Sequence, residues 1–192
     1  ELMRDHRAKR QSAMYQISPS VVPAQAGKHP LNVTGHAVYS EFFPMLDVPF
    51  LHGSGWSAQD DEQRAAVTVI SSKLSEKLFG AIDSVGKTVN IEGRDYRVVG
   101  VLDHWNPQPR FFDVTNTGGF SEGFEDVFVP FERAIAVGMP NNGNTNCNAT
   151  PKESGFVGLQ HSDCVWIAYM VELDRAAAAP LPLLVQDRRR AP

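Results

Sequence analysis

The stretch 88–102 constrains the fold of this 192-residue chain more than any other part of the sequence. Val89 and Ile91 alternate with polar residues, and the later run 96–102 is almost continuously apolar. Between the two runs lies Glu92-Gly93-Arg94-Asp95, whose glycine and polar side chains are typical of a turn. Two β-rich runs joined by such a turn predict a β-hairpin with one largely buried strand.

The segments around the hairpin alternate between helix-like and strand-like patterns. Ser71 or Ser72 can cap a helix that ends at Phe79, where Gly80 is a natural stop. The other predicted helices cover 1–14, 40–46 and 131–137, and the other predicted strands cover 15–22, 31–38, 65–70, 127–129 and 165–172. Interleaved helices and strands predict an α+β fold with mixed sheets and βαβ-like elements.

Composition and charge exclude several classes of protein. Acidic residues outnumber basic ones by 22 to 18, whereas dedicated nucleic-acid-binding domains carry a basic excess. Basic residues gather in 1–10 and 181–192, a pattern typical of solvated tails, with contact to another surface as the alternative. The longest strongly apolar run, 164–171, is much shorter than the roughly 20 residues of a membrane span. Because the chain does not begin with Met, we expect a fragment of a longer protein.

No pattern reaches the strength of a catalytic or metal-binding motif. The segment 84–88, Ser-Val-Gly-Lys-Thr, is similar to the end of a phosphate-binding loop, but Ala81 stands where the motif needs its first glycine. A strand follows where a helix is required, so we interpret the segment as a turn. The six histidines lack metal-ligand spacing, and we predict no metal, no cofactor and no catalytic residue. A hydrolase that uses His104 or His161 with a neighbouring acid is the enzymatic alternative.

Cys147 and Cys164 are the only two cysteines of the chain. An irregular loop separates them, and a disulfide between them would tie this loop to the last strand. Such a closure contributes about 3 kcal/mol in the chain-entropy model and requires an oxidising compartment. We therefore predict the disulfide, with two unpaired thiols as the alternative.

Aromatic residues lie on the long loop rich in Gly and Pro that follows the hairpin. Trp105, Phe111 and Phe112 are predicted partner contacts, because aromatic side chains on loops often mark interfaces. Phe120 and Phe124 follow in the same part of the chain. The alternative is that these rings fold back over the core.

Seven short segments, in order, resemble the periplasmic core domain of MacB-type ABC transporter permeases, in the broader FtsX-like permease family. These segments are Tyr39–Leu46, Gly55-Trp56 with Asp60-Asp61, Val67–Ser71, Leu74 with Leu78-Phe79-Gly80, Asp83–Val89, Ile91–Arg94 with Tyr96–Val101, and residues 124–131. Two positions depart from the family pattern: Asp47 stands where Gly is usual, and Gly53-Ser54-Gly55 replaces the usual Gly-Arg. We expect the local backbone to differ there.

The resemblance implies a two-lobed extracytoplasmic domain excised from between two membrane spans. The membrane-proximal lobe would comprise about 1–46 plus 164–192, and the inserted lobe about 47–163. The implied location is the periplasmic face of the bacterial inner membrane.

The resemblance also implies a function that is mechanical and not enzymatic. A cytoplasmic ATPase subunit or domain would hydrolyse ATP, and the membrane helices of the full-length protein would connect it to this domain. A second permease copy, a periplasmic adaptor or the substrate would be further partners. A stand-alone secreted protein or ligand-binding module is the alternative.

Overall fold

One mixed β-sheet organises the chain. The computed structural model describes residues 3, 8–23, 29–107, 109–113, 116 and 126–173. Its ten strands are β1 (Arg10–Ile17), β2 (Ser20–Val22), β3 (Leu31–Asn32), β4 (Gly35–Val38), β5 (Phe50–Gly53), β6 (Val67–Ser71), β7 (Thr88–Ile91), β8 (Arg94–Leu102), β9 (Val127–Pro130) and β10 (Ala168–Glu172).

The strand order of the sheet is β10-β1-β4-β9-β6-β8-β7-β2-β3, and β5 pairs with β8. The pairs β4/β9 and β6/β8 are parallel. The other pairs are antiparallel, including β1/β10, which joins the first strand to the last. The predicted mixed sheet is therefore confirmed.

Short helices cover both faces of the sheet. They are α1 (Phe42–Met45), α2 (Ala58–Glu62), α3 (Ser72–Phe79), α4 (Phe131–Ala136) and α5 (Gly155–Gln160). Strand β9 shows how the core divides, because Val127 and Val129 belong to one apolar cluster and Phe128 to the other. This alternation is expected for a strand with both faces buried.

Local sequence signals explain where several elements begin and end. Ser71 accepts a hydrogen bond from the Leu74 amide and caps α3, which ends at Gly80 in the left-handed region. Ser57 and Asp60 form a reciprocal capping box at the start of α2. The cap predicted at Ser71 and the predicted hairpin over 88–102 are both confirmed.

The predicted helix over 1–14 is wrong where the structure describes that segment. Arg10–Ile17 forms β1, with Met14 and Tyr15 buried on opposite faces of the sheet. Ala, Met and Gln are good helix formers, but differences in helix propensity are below about 1 kcal/mol per residue, and burial between β4 and β10 overrides them. Residues 1, 2 and 4–7 lie outside the described part of the chain.

The division into two lobes stays a prediction. Strand β4 comes from the predicted membrane-proximal lobe and β9 from the predicted inserted lobe, and the two pair in parallel. Any boundary between such lobes would therefore run through one hydrogen-bonded sheet. Residues 174–192 lie outside the described residues.

Candidate functional site

Among the described residues, the first and last strands of the sheet pair with each other. Arg10 and Glu172 are register partners across β1 and β10, and the Lys9 amide donates to the Glu172 carbonyl. The Glu172 carboxylate also accepts from the Lys9 ammonium and the Arg10 guanidinium, each at 2.6 Å and each through a different oxygen. These hydrogen bonds lower the pKa of Glu172 and raise that of Arg10. We call Lys9, Arg10 and Glu172 the chain-end cluster.

An apolar stripe runs along β10 beside this cluster. Tyr169 and Val171 lie on one face of β10, Val165 and Ile167 continue the same alternation before the strand, and all four are exposed. The Tyr169 hydroxyl donates to the Gln11 side chain of β1 at 2.9 Å. The strand therefore contributes its opposite face to the core while this face meets solvent.

The predicted disulfide between Cys147 and Cys164 is present in the structure. It stands beside an isolated antiparallel bridge between Asn146 and Val165. As predicted, the disulfide ties this loop to the segment that leads into the last described strand, β10. Helix α5 lies inside the closed loop and was not predicted from the sequence.

The three loop aromatics predicted as partner contacts occupy different environments. Phe112 is only 5% exposed and stacks on the partly buried Trp105 with ring centroids 5.0 Å apart. Both rings contact Phe42 in the core. Phe111 is 60% exposed, so it is the ring that a partner can reach. Phe120 and Phe124 lie outside the described residues.

Beneath this loop lies a buried polar cluster that sequence reasoning missed. His36 Nε2 is 3.3 Å from Asp113 Oδ2, and both side chains are almost fully buried. The His36 ring stacks on Phe128, and burial lowers the pKa of the nearby Arg110. No short sequence motif joins His36 to residues that lie more than 70 positions later. The cluster ties the loop to β4.

The histidines of the hydrolase alternative occupy exposed positions. His161 Nδ1 lies 3.2 Å from Glu153, and both side chains are more than half exposed. His104 lines a cavity of about 80 Å³ together with Ser72 and Lys73. This volume holds a few water molecules, whereas small-molecule sites are typically about 300–1,000 Å³. The described residues contain no group of three or more His, Cys, Asp or Glu side chains suited to a metal ion.

A larger groove of about 440 Å³ lies between α1 and the start of α2. Phe43 and Trp56 line its floor, and Asp47 lies at its edge. The Trp56 indole donates to Asp61, whose pKa is raised by burial although this bond and one from Ser40 oppose the shift. Asp47 has a φ of 49°, a region that favours Gly, which is the residue that the family resemblance expects there.

The segment 84–88 is a turn, as its sequence context predicted. The Gly86 amide donates to the Val98 carbonyl, and β7 begins at Thr88. The Ser84 hydroxyl is buried and accepts from Ser75 of α3. These contacts attach the turn to the hairpin, and no helix follows it to hold a phosphate.

A sequence comparison decides the family. Residues 3–173 match the model of the MacB-like periplasmic core domain. The chain belongs to this family. It is thus a periplasmic domain of a MacB-like ABC permease, as the sequence resemblance predicted. Within the described residues, no helix has the length and apolar character that a membrane span requires.

Curated relatives of this MacB-like domain are ABC export permeases. One segment of 65 residues is 38% identical to the pyoverdine export ATP-binding/permease protein PvdT of Pseudomonas savastanoi pv. phaseolicola. A segment of 64 residues is 41% identical to the protein of the same name from Pseudomonas syringae pv. tomato. Each match covers 33% of this chain and 10% of the relative.

Solved structures share the fold of this MacB-like domain. The periplasmic region of MacB from Actinobacillus actinomycetemcomitans aligns with a TM-score of 0.56 and 12% identity, covering 91% of this chain and 62% of that one. The extracellular domain of the ABC-type transporter YknZ from Gram-positive bacteria aligns with a TM-score of 0.50 and 21% identity, covering 68% and 59%. Both similarities concern the fold alone.

Proposed function

We propose that this domain is the non-catalytic periplasmic part of an ABC exporter and couples ATP hydrolysis to periplasmic conformational change. The family match over residues 3–173 is the observation that carries the proposal. A cytoplasmic ATPase subunit or domain hydrolyses ATP, and the membrane helices transmit the change. A second permease copy and a periplasmic adaptor or substrate complete the assembly.

The position of the chain ends supports a mechanical role. Strands β1 and β10 pair directly, so the connections at Lys9 and Leu173 lie at one end of one strand pair. Movement of either connection therefore acts on the same edge of the sheet. A transporter that alternates between two states can use such an attachment to move the whole domain as one body.

A bypass variant tests this role in the full-length transporter. Arg10 and Glu172 are cross-strand partners, so their Cα atoms are about 5 Å apart and a four-residue Gly/Ser linker can replace 11–171. In proteoliposomes, we expect the variant to lose export and substrate-stimulated ATP hydrolysis while it retains basal hydrolysis.

The control for the bypass variant carries the same linker inserted after Asn144, in an exposed loop. We expect this control to export at the wild-type rate, because insertions in exposed loops are tolerated. Export by the bypass variant at the wild-type rate would overturn the proposal.

Nucleotide binding by the 192-residue chain provides a second test. The segment 84–88 is a turn without a following helix, so it offers no row of amides for a phosphate. We expect calorimetric titration with ATP to show no binding at sub-millimolar concentration. Saturable binding in that range would contradict a purely mechanical domain.

A further inference from the structure

A force on the two connections would act at one end of the β1/β10 pair. Because β1 and β10 are antiparallel, the connections at Lys9, before β1, and at Leu173, after β10, lie at the same end of the pair. Inter-strand hydrogen bonds lie perpendicular to the strands. Forces that separate the two connections would therefore open these bonds one after another, beginning at Arg10 and Glu172.

The chain-end cluster lies at the point where this opening would begin. Lys9 and Arg10 precede or start β1, and Glu172 is the last residue of β10. Both carboxylate oxygens of Glu172 are engaged, one by each cation. The next side-chain link along the pair is the hydrogen bond between Tyr169 and Gln11, farther into the sheet.

We propose that Lys9, Arg10 and Glu172 form an electrostatic latch that holds the two chain ends of the domain together. Exposed ion pairs contribute little to global stability. Local opening of a terminal strand pair, however, costs little free energy. An ion-pair contribution of the same size therefore changes the population of the open state measurably. The latch would thus control the separation of the two connections without determining whether the domain folds.

The consequence for transport rests on the proposed function. While the latch is closed, a displacement of one connection moves the other connection and the sheet with it. When the latch opens, the connections separate and part of the displacement is absorbed at the end of β10. Weakening the latch should therefore reduce export for each ATP hydrolysed.

Hydrogen exchange of the 192-residue chain tests the latch directly. Glu172→Gln keeps the shape of the side chain but removes its charge. At low salt we expect those amides of Arg10–Met14 and Ala168–Glu172 that bond across the β1/β10 pair to exchange about 5-fold faster, while those of Arg94–Leu102 in the centre of the sheet stay unchanged. About 1 M NaCl should accelerate the wild-type exchange and leave the variant unaffected.

A charge-reversed variant is the matched control. Lys9→Glu, Arg10→Glu and Glu172→Arg together restore attraction with opposite polarity, so protection should return toward the wild-type level. Equal exchange in wild type and Glu172→Gln would overturn the latch. Equal acceleration in Arg94–Leu102 would also overturn it, because the effect would then be global unfolding.

Export per ATP, measured with the full-length Glu172→Gln transporter, tests whether the latch has a role in transport. Faster local exchange with reduced export per ATP supports both. Faster exchange with wild-type coupling supports the latch and overturns its role in transport. The bypass variant tests the proposed function independently, because export without residues 11–171 would overturn that function whatever the exchange of Glu172→Gln shows.

Discussion

Neighbouring side chains of the loop after the hairpin differ sharply in burial. Phe111 is 60% exposed, whereas Phe112 is 5% exposed and packs between Trp105 and Phe42. The backbone therefore presents one ring to solvent and inserts the next into the core. Phe112 therefore packs in the core, and a partner contact at Phe111 stays a prediction.

Alanine substitutions at these two positions should have different effects. Phe112→Ala leaves a cavity in the core and should lower the free energy of unfolding by about 3–5 kcal/mol. Phe111→Ala, as the matched control, should change it by less than about 0.5 kcal/mol. Urea unfolding monitored by circular dichroism measures both, and equal losses would contradict the assigned burial.

Backbone conformation at Gly93 leads to a second prediction at the residue scale. Glu92 and Gly93 both have positive φ, at 50° and 75°, as a two-residue hairpin turn requires. A Cβ added to Gly93 meets nothing within 4 Å, so only backbone strain opposes a side chain there. Gly93→Ala should therefore destabilise the chain by about 1 kcal/mol.

Gly93→Asn is the comparison variant, because Asn tolerates the left-handed region better than Ala. We expect it to unfold at a higher temperature than Gly93→Ala. A lower melting temperature for the Asn variant would show that contacts, and not the backbone, determine the cost.

At the scale of elements, the disulfide attaches a helical loop to the last strand. Cys147→Ser with Cys164→Ser should lower the free energy of unfolding by about 3 kcal/mol. The loss should be largest near Asn146 and Val165, whose backbones pair beside the bond. Thermal unfolding with and without reductant measures the effect, with the double variant as the reference that reductant should not change.

The β1/β10 pair should weaken in acid. Lys9 and Arg10 face Glu172, and Glu41, which directly precedes α1, also acts on Arg10. Because folding lowers the pKa of Glu172, the ionised form is favoured in the native state, and its contribution to stability is present above the unfolded pKa. That contribution is lost as the pH falls through the lowered native pKa.

Carboxyl NMR titration of Glu172 measures this shift. We expect the apparent pKa of Glu172 to rise toward its ordinary value in a variant carrying Lys9→Gln and Arg10→Gln. An unchanged titration would show that the two cations do not hold the carboxylate. Arg64→Gln is the control, since its guanidinium lies near Glu132 and not near Glu172.

At the scale of the whole molecule, the continuous sheet has a consequence for unfolding. The predicted membrane-proximal and inserted lobes share the β4/β9 pair and both apolar clusters. We expect one cooperative transition in which the calorimetric enthalpy equals the van't Hoff enthalpy. Two resolved transitions would support lobes that unfold independently.

Several elements follow from local sequence and others do not. The hairpin over 88–102 and the cap at Ser71 depend on neighbouring residues, so their patterns are readable without tertiary contacts. Strand β5 and helix α5 were missed because each is short and lies next to glycines. The strand conformation of Arg10–Ile17 is imposed by its neighbours in the sheet, against the helical preference of its residues.

Some features of the candidate site could also be predicted from the sequence, and others could not. Cysteine count alone limited the disulfide to one pair, and the structure contains it. The chain-end cluster joins residues separated by more than 160 positions, and no local signal relates Glu172 to Lys9 and Arg10. The pairing of His36 with Asp113 could not be predicted either, because these residues are also far apart in the sequence.

By itself, the sequence determined the family, the mixed α+β class and the turns and caps, because these depend on residue order and short-range hydrogen bonds. The tertiary structure alone decided that the first strand lies beside the last and that Phe112 is buried while Phe111 is exposed. These features depend on contacts between distant segments, whose free energy appears only when the sheet assembles. The pairing of β1 with β10 therefore belongs to the fold and not to any single segment.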